Sequence, residues 1–290
     1  LPLYRCVKPD VRNTLTYLTD ITVDVAWRKQ YCGIFTAIFN GVTYYFLDNE
    51  YYFGRDGIYG FYDDCERFVF YSRAVLEMLR YIDFKPDIIN ANDWQAAMIP
   101  VYYEVFYKYQ QGYEDIKTVF TIHNIQYQGN YGREVLNEVM GLPMYHMSLL
   151  EYDGGINMMK GAIETADKVT TVSPSYAWEI LDPWYSYGMD RILRNRQYKL
   201  SGIVNGIDVD GYNPETDNFS IFGNMFDWTI RITRPHTELY YAVDANDYSL
   251  IKVMELPASE LSVAEKVGKY IFPLRLSFTS GTDKYVRARF

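Results

Sequence analysis

From Lys85 onward, short runs rich in β-branched and apolar residues alternate with stretches in which apolar side chains recur every three or four positions. The runs at 87–90 (DIIN), 117–123 (KTVFTIH), 168–173 (KVTTVS) and 200–205 (LSGIVN) predict buried strands, and the stretches at 94–109, 156–166 and 174–181 predict helices. This alternation implies an α/β fold with a doubly wound parallel sheet and right-handed crossovers, in which ligands sit beyond the carboxyl ends of the strands. Upstream, 33–39 and 42–48 flank Asn40-Gly41. That dipeptide favours a type I′ turn, because both central residues need positive φ, so an added antiparallel hairpin is expected before the wound sheet. A long helix is expected over 65–82, where Phe68, Val69, Ser72, Val75, Leu76, Leu79 and Ile82 make one stripe and Lys85-Pro86 ends the pattern. After Pro214 the helical period disappears, and 228–231, 238–243, 249–254, 270–278 and 284–290 read as strands. The expected division is a domain over 1–217 and a β-rich segment over 218–290.

Composition narrows the class. With 290 residues, 49% hydrophobic and 22% charged, the chain can bury a full core. A net charge of −9 argues against nucleic acid, which needs clustered Lys and Arg. No apolar run reaches the ~18 residues of a membrane span, and the first residues lack a basic-then-apolar secretory pattern. Cys6, Cys32 and Cys65 form neither a CxxC pair nor a spaced metal set, and read as reduced thiols of a cytoplasmic protein. Only three histidines occur, His123, His146 and His236, without HxxH or HExxH spacing, so no metal and no cofactor is expected. GxSxG, P-loop and GxGxxG fingerprints are absent. The 30 tyrosines suit carbohydrate, each offering a flat apolar face with a hydroxyl at its edge, but they suit ordinary cores equally. The pair Asp63-Asp64 reads as solvated loop charge.

Six motifs then follow in order: WRKQYCGIF from Trp27, YFLDNEYYFGRDGIYGFYDD from Tyr45, PDIINANDWQAAMIPVY from Pro86, TVFTIHNIQYQG from Thr118, TADKVTTVSPSYAWEI from Thr165 and LSGIVNGIDVDGYNPETD from Leu200. Each alone is weak. Collinear over residues 1–217, they resemble the bacterial glycogen synthases and plant starch synthases. The resemblance implies the N-terminal, Rossmann-like half of a GT-B glucosyltransferase. Such an enzyme transfers glucose from ADP-glucose to the non-reducing end of an α-1,4-glucan, glycogen or starch, with retention and without a metal. The partners it implies are that nucleotide sugar and that glucan, with no nucleic acid and no membrane; an oligomer is left open. The resembling enzymes begin with a strand and a Lys-Thr-Gly-Gly-Leu loop, and their second domain supplies an Arg, a Lys and an essential Glu. Here the chain starts at Leu1-Pro2-Leu3-Tyr4, and residues after 218 do not resemble that domain, so the 290 residues by themselves are expected to be inactive. The competing expectation is a non-catalytic glucan-binding or assembly module.

Candidate site residues fall at the strand ends. Asp93 closes a strand and opens a helix, where a carboxylate can cap free backbone N–H groups. The next position but one, commonly His in the resembling family, is Gln95, which can donate and accept hydrogen bonds but cannot shuttle a proton near neutral pH. His123 and Asn124 end the next strand. A lone His is more often a buried, satisfied imidazole; the resemblance makes it a sugar or phosphate contact. Tyr127 and Gln128 lie on the loop that follows. Ser173, with Pro174 behind it, starts a helix. Asn205 and Asp208 end the last wound strand, and the resemblance turns this Asn toward the cleft. The resemblance casts all nine as contacts to donor sugar or acceptor.

Overall fold

The computed structural model describes residues 1–206 and, further along the chain, the backbone of five strands. The chain divides into two units, Leu1–Asn205 and Gly206–Phe290.

The first unit opens with a short helix α1 (Pro9–Arg12) and an antiparallel meander of β1 (Thr16–Val25), β2 (Arg28–Phe39) and β3 (Val42–Asp48). Asn40 and Gly41 join β2 to β3 with φ of 50° and 77°, the positive pair that the dipeptide predicts. The hairpin is longer than expected and gains β1, which buries Ile21, Val23 and Val25 while Thr22 and Asp24 face out. Next come α2 (Glu50–Phe53), capped by Asn49 Oδ1 accepting from Tyr52 N at 3.0 Å, and α3 (Asp64–Met78). Helix α3 buries Phe68, Val69, Ser72 and Leu76, as its stripe predicts. It stops before Ile82 because Leu79, Arg80 and Tyr81 donate to carbonyls three residues back, a tighter turn that closes the helix.

Asp63 and Asp64 are not solvated loop charges. Asp63 takes both guanidinium nitrogens of Arg55, at 2.6 and 2.7 Å, and Asp64 takes Arg67 at 2.5 Å while also accepting from the backbone of Gly60 and Phe61. Arg67 is fully buried and also donates to the Tyr52 and Ile58 carbonyls, so the pair pins the 54–63 loop to α3.

The wound part follows as β4 (Ile88–Asn92), α4 (Asp93–Ala96), α5 (Met98–Tyr102), a π-helical turn at Tyr103–Tyr107 and β5 (Lys117–Ile122). The helix expected over 94–109 is thus three pieces. Pro100 has no N–H to donate to Ala96, which breaks the ladder there. Beyond β5 come β6 (Asn130–Tyr131), α6 (Val135–Glu138), α7 (Met147–Leu150), β7 (Glu151–Tyr152), β8 (Gly155–Asn157) and α8 (Met158–Thr165). The unit closes with β9 (Lys168–Thr171), α9 (Pro174–Glu179), α10 (Asp190–Asn195) and β10 (Leu200–Gly202).

Strands β10, β9, β5 and β4 form, in that order, the parallel sheet that the alternation predicts, and β6, β8 and β7 form a small antiparallel one. Alternate positions send Ile89, Ala91, Phe120, Ile122 and Val169 into the core beneath α3, α5 and α8. On the other face Thr121 Oγ1 meets Asn90 Oδ1 at 2.9 Å and Thr170 Oγ1 at 2.8 Å, a polar ladder across three strands. Gly161 allows α8 to approach its neighbours, since a Cβ there would lie 3.0 Å from Val101 Cγ2 and 3.1 Å from Leu150 Cγ.

In the second unit β11 (Thr229–Thr233), β12 (Glu238–Asp244) and β13 (Asp247–Glu255) pair antiparallel, as do β14 (Arg275–Ser277) and β15 (Tyr285–Arg287). Each lies in or across one of the five stretches expected to be strand. Asp208 and the expected boundary at 217 lie outside the described residues.

Candidate functional site

The carboxyl ends of β4 and β5 lie side by side because Asn92 pairs in register with Thr121. At the first residue past β4 the chain must turn sharply into α4, and Asp93 does so with φ of 56°, a left-handed conformation that Asp tolerates better than most residues. This turn aims its carboxylate across to the neighbouring strand end. Asp93 Oδ1 accepts from His123 N at 2.8 Å and Asn124 N at 3.3 Å. The carboxylate therefore caps backbone N–H groups, as expected, but those of the β5 loop rather than of its own helix. Its Oδ2 has no protein partner among the described residues.

His123 is exposed, not a buried satisfied imidazole, and its Nε2 lies 2.9 Å from Asn92 Oδ1. Asn92 Nδ2 donates to Asn90 O at 3.3 Å, which fixes the amide with its oxygen toward the ring. The oxygen can only accept, so Nε2 carries the proton and Nδ1 is the nitrogen left for a ligand. Asn124 Oδ1 accepts from Gln126 N at 3.0 Å, a local turn that holds the loop open. Beneath these groups Trp94 meets Phe68 edge-on at 5.0 Å, giving the rim a rigid floor.

The third strand end joins through tyrosine. Ser173 Oγ accepts from Tyr176 N at 2.9 Å, capping α9 with Pro174 in its first turn. Tyr176 Oη in turn accepts from Ile125 N at 3.4 Å, linking the β9 and β5 loops. Neither Asn92 nor Tyr176 was singled out from sequence. Asn92 was legible as a strand-end amide beside Asp93, whereas nothing local marks Tyr176.

The remaining candidates spread out. Gln95 is half-buried on α4 with no side-chain hydrogen bond among the described residues, and Tyr127 is 58% exposed. Asn205 is exposed beyond β10. Gln128 is buried, and its amide is used internally: Nε2 donates to the Ile125 and Tyr187 carbonyls, and Oε1 accepts from Asn157 Nδ2 at 2.7 Å. Asp93, His123 and Asn124 thus form one cluster, Ser173 borders it, and Gln128 supports it from inside. Gly129 follows at φ of 68°, where a Cβ would lie 2.8 Å from Trp94 Cε3.

The loops leaving the four strand ends, 92–95, 123–127, 172–176 and 203–206, contain no Lys or Arg. The cluster offers hydroxyl-binding groups (a carboxylate oxygen, a ring nitrogen and amides) with no cation to oppose a phosphate. Burial pushes the thiols of Cys32 and Cys65 up to about 12, so neither is a nucleophile near neutral pH. No group of His, Cys, Asp and Glu among the described residues is placed to hold a metal, and no described helix is long and apolar enough to cross a membrane.

Comparison with known proteins is consistent in direction. A family model of the starch synthase catalytic domain matches residues 1–195. The chain is 44% identical over 268 residues to a glycogen synthase of Clostridium beijerinckii, covering 90% of this chain and 56% of that protein. It is 48% identical over 226 residues to one of Clostridium kluyveri, covering 77% and 47%. Among solved structures it is similar to the catalytic domain of starch synthase IV from Arabidopsis thaliana bound to ADP and acarbose. The TM-score is 0.67 at 32% identity, over 75% of this chain and 46% of that one. The chain spans about half the length of the curated relatives it matches.

Proposed function

This chain belongs to the starch synthase catalytic-domain family, and from that membership we propose that it supplies one wall of a glucosyltransferase cleft. The reaction is transfer of glucose from ADP-glucose to the non-reducing end of an α-1,4-glucan with retention, in the cytoplasm. The observation that carries this reading is the Asp93 carboxylate, held by two backbone N–H groups at adjoining strand ends beside the free Nδ1 of His123. In a retaining transfer, positive charge develops on the sugar ring and negative charge on the departing phosphate. Asp93, His123, Asn124 and Gln95 suit the sugar hydroxyls, with Tyr127 and Asn205 at the margin.

The phosphate is the other half of the problem, and none of the four described strand-end loops carries a cation for it. Loss of a single preorganised donor to a developing oxyanion commonly costs about 10²-fold. We therefore propose that the 290 residues alone bind glucan without turning over, their cations coming from a partner domain. That the Arabidopsis relative is bound to ADP and acarbose supports a nucleotide and a glucan-like ligand as the pair to test.

The test is a chimera in which residues 1–205 replace the matching region of the Clostridium beijerinckii glycogen synthase. Label from ADP-glucose should enter glycogen, label from UDP-glucose should enter far more slowly, and the unfused chain should incorporate none. A folded chimera that binds glycogen but transfers from neither donor would sink the catalytic reading and leave a glucan-binding module.

A further inference from the structure

Past Tyr127 the chain turns inward, and Gln128 becomes part of the wall of a separate cavity of about 550 Å³, within the range of about 300–1,000 Å³ typical of small-molecule sites. Asn130 and Tyr131 of β6 form one side, and Tyr152, Asp153 and Tyr187 the other.

The polarity of one wall follows from a chain of amides. Gln128 Nε2 donates to two carbonyls, Ile125 O at 3.0 Å and Tyr187 O at 3.1 Å, so its oxygen must face Asn157. Asn157 Nδ2 then donates to Gln128 Oε1 and to Asn130 Oδ1, both at 2.7 Å, while Asn157 Oδ1 caps α8 by accepting from Lys160 N. The amides of Gln128 and Asn157 are fully committed, and neither can flip without breaking three bonds. What remains at the wall is Asn130 Nδ2, a donor with no protein partner among the described residues. Asp153, which also lines the cavity, provides an acceptor, and the described wall holds no Lys, Arg or His. One donor, one carboxylate and phenolic rings suit a neutral polyol and repel a phosphate.

The mouth is built at a conformational cost. Tyr187 and Asp153 both have φ of 48° and are followed by Gly188 and Gly154 at 88° and 78°. Tyr152 Oη donates to Gly188 O, strapping the two corners together. A bulky aromatic in left-handed backbone is unfavourable, yet the Tyr187 ring gains little burial for it and stays 59% exposed.

We propose that this cavity holds a glucose unit of a neutral α-glucan, stacked on Tyr187 and with adjacent hydroxyls bridging Asn130 Nδ2 and Asp153. It would grip the acceptor chain away from its reacting end. This rests on the glucan reading above and adds a location that the strand-end cluster does not include.

The experiment is titration of the 290-residue chain with maltoheptaose. Tyr187→Gly removes the ring and also relieves the left-handed strain, so weaker binding cannot be blamed on unfolding. We expect about tenfold weaker binding with an equal or higher Tm. Asn130→Asp, which replaces the donor by a second carboxylate, should weaken binding similarly at pH 7. Tyr198→Ala, at an exposed tyrosine that is not in this wall, should leave binding unchanged. Wild-type binding retained in both cavity variants overturns the cavity and spares the glucan reading. Failure of the wild-type chain to bind any maltoheptaose overturns both.

Discussion

Asp93 ties two strand ends together through one oxygen, and this can be measured. Replacing it with Ala removes the acceptor for His123 N and Asn124 N and leaves a Cβ-bearing residue at φ of 56° without the polar side chain that eases that conformation. Hydrogen bonds to a charged group contribute ~1.5–3 kcal/mol each; water can re-solvate these loop amides, so the lower end applies to the first and less to the longer second. Adding ~1 kcal/mol for the left-handed backbone gives a loss of ~3 kcal/mol for Asp93→Ala. Asp93→Gly keeps the turn and loses only the acceptor, ~2 kcal/mol. Asp93→Asn keeps the turn and a neutral acceptor, roughly half as strong, ~1 kcal/mol. At ~2–4 °C per kcal/mol for a unit of this size, the order Asn, Gly, Ala should appear as falls of ~3, ~6 and ~9 °C. The assay is thermal unfolding followed by fluorescence, with hydrogen exchange read at the amides of His123 and Asn124. Melting of the Ala and Gly variants within about 1 °C of wild type, against the roughly 2–4 °C per kcal/mol expected here, or unchanged exchange at both amides, would refute the capping role.

Three further outcomes are expected. Gly129→Ala should cost ~2–4 kcal/mol in denaturant unfolding, because the new Cβ meets Trp94 Cε3 at 2.8 Å and Met158 Sδ at 3.0 Å at a φ of 68°; a neutral effect would mean that Trp94 is not fixed. Burial raises the Asp63 carboxyl, but the Arg55 guanidinium outweighs it and holds Asp63 below its ordinary 3.8. A depressed folded value contributes stability that is present above 3.8 and lost as pH falls through the folded value, so Asp63→Asn should destabilise at pH 7 and converge with wild type in strong acid. Parallel Tm curves for the two at every pH would contradict this. Of the three cysteines, exposed Cys6 should react quickly with a thiol reagent, while buried Cys32 and Cys65 should react only on unfolding; fast labelling of all three would show that the core opens.

Much of this was legible from sequence where the signal is local. Asn40-Gly41 announced its turn, the stripe of α3 its buried face, and Ser173-Pro174 its helix start, because each depends on neighbours within a few positions. What escaped depends on pairing across long separations. β1 was missed because its outward Thr and Asp residues dilute the apolar signal that Ile21, Val23 and Val25 give. Asp63 read as solvated because its partner Arg55, 8 positions back, meets it only once the loop folds back, whereas Asp64 pairs locally with Arg67 on α3, a pair that shows as buried only once the helix is packed. Gln128 read as a ligand contact on the strength of its motif, but its amide turns inward to Asn157, 29 positions along the chain. The hydrogen-bonded chain of amides that ends at Asn130 has no sequence signature at all.

The topology also sets a timetable. The β2–β3 hairpin closes over two residues and can form within microseconds, whereas the bonds that define the cluster join positions 30 or 31 apart, and the Asp167–Thr118 and Thr121–Thr170 contacts of the same sheet span 49. Each such closure must be won against chain entropy before parallel pairing rewards it. The β2–β3 hairpin can therefore form with no strand-end cluster attached, and Asp93, His123 and Asn124 come together only when β4 and β5 pair. A newly made chain would be folded at its hairpin end before its strand-end cluster is assembled, so protection of the His123 and Asn124 amides is a later clock mark than gain of secondary structure.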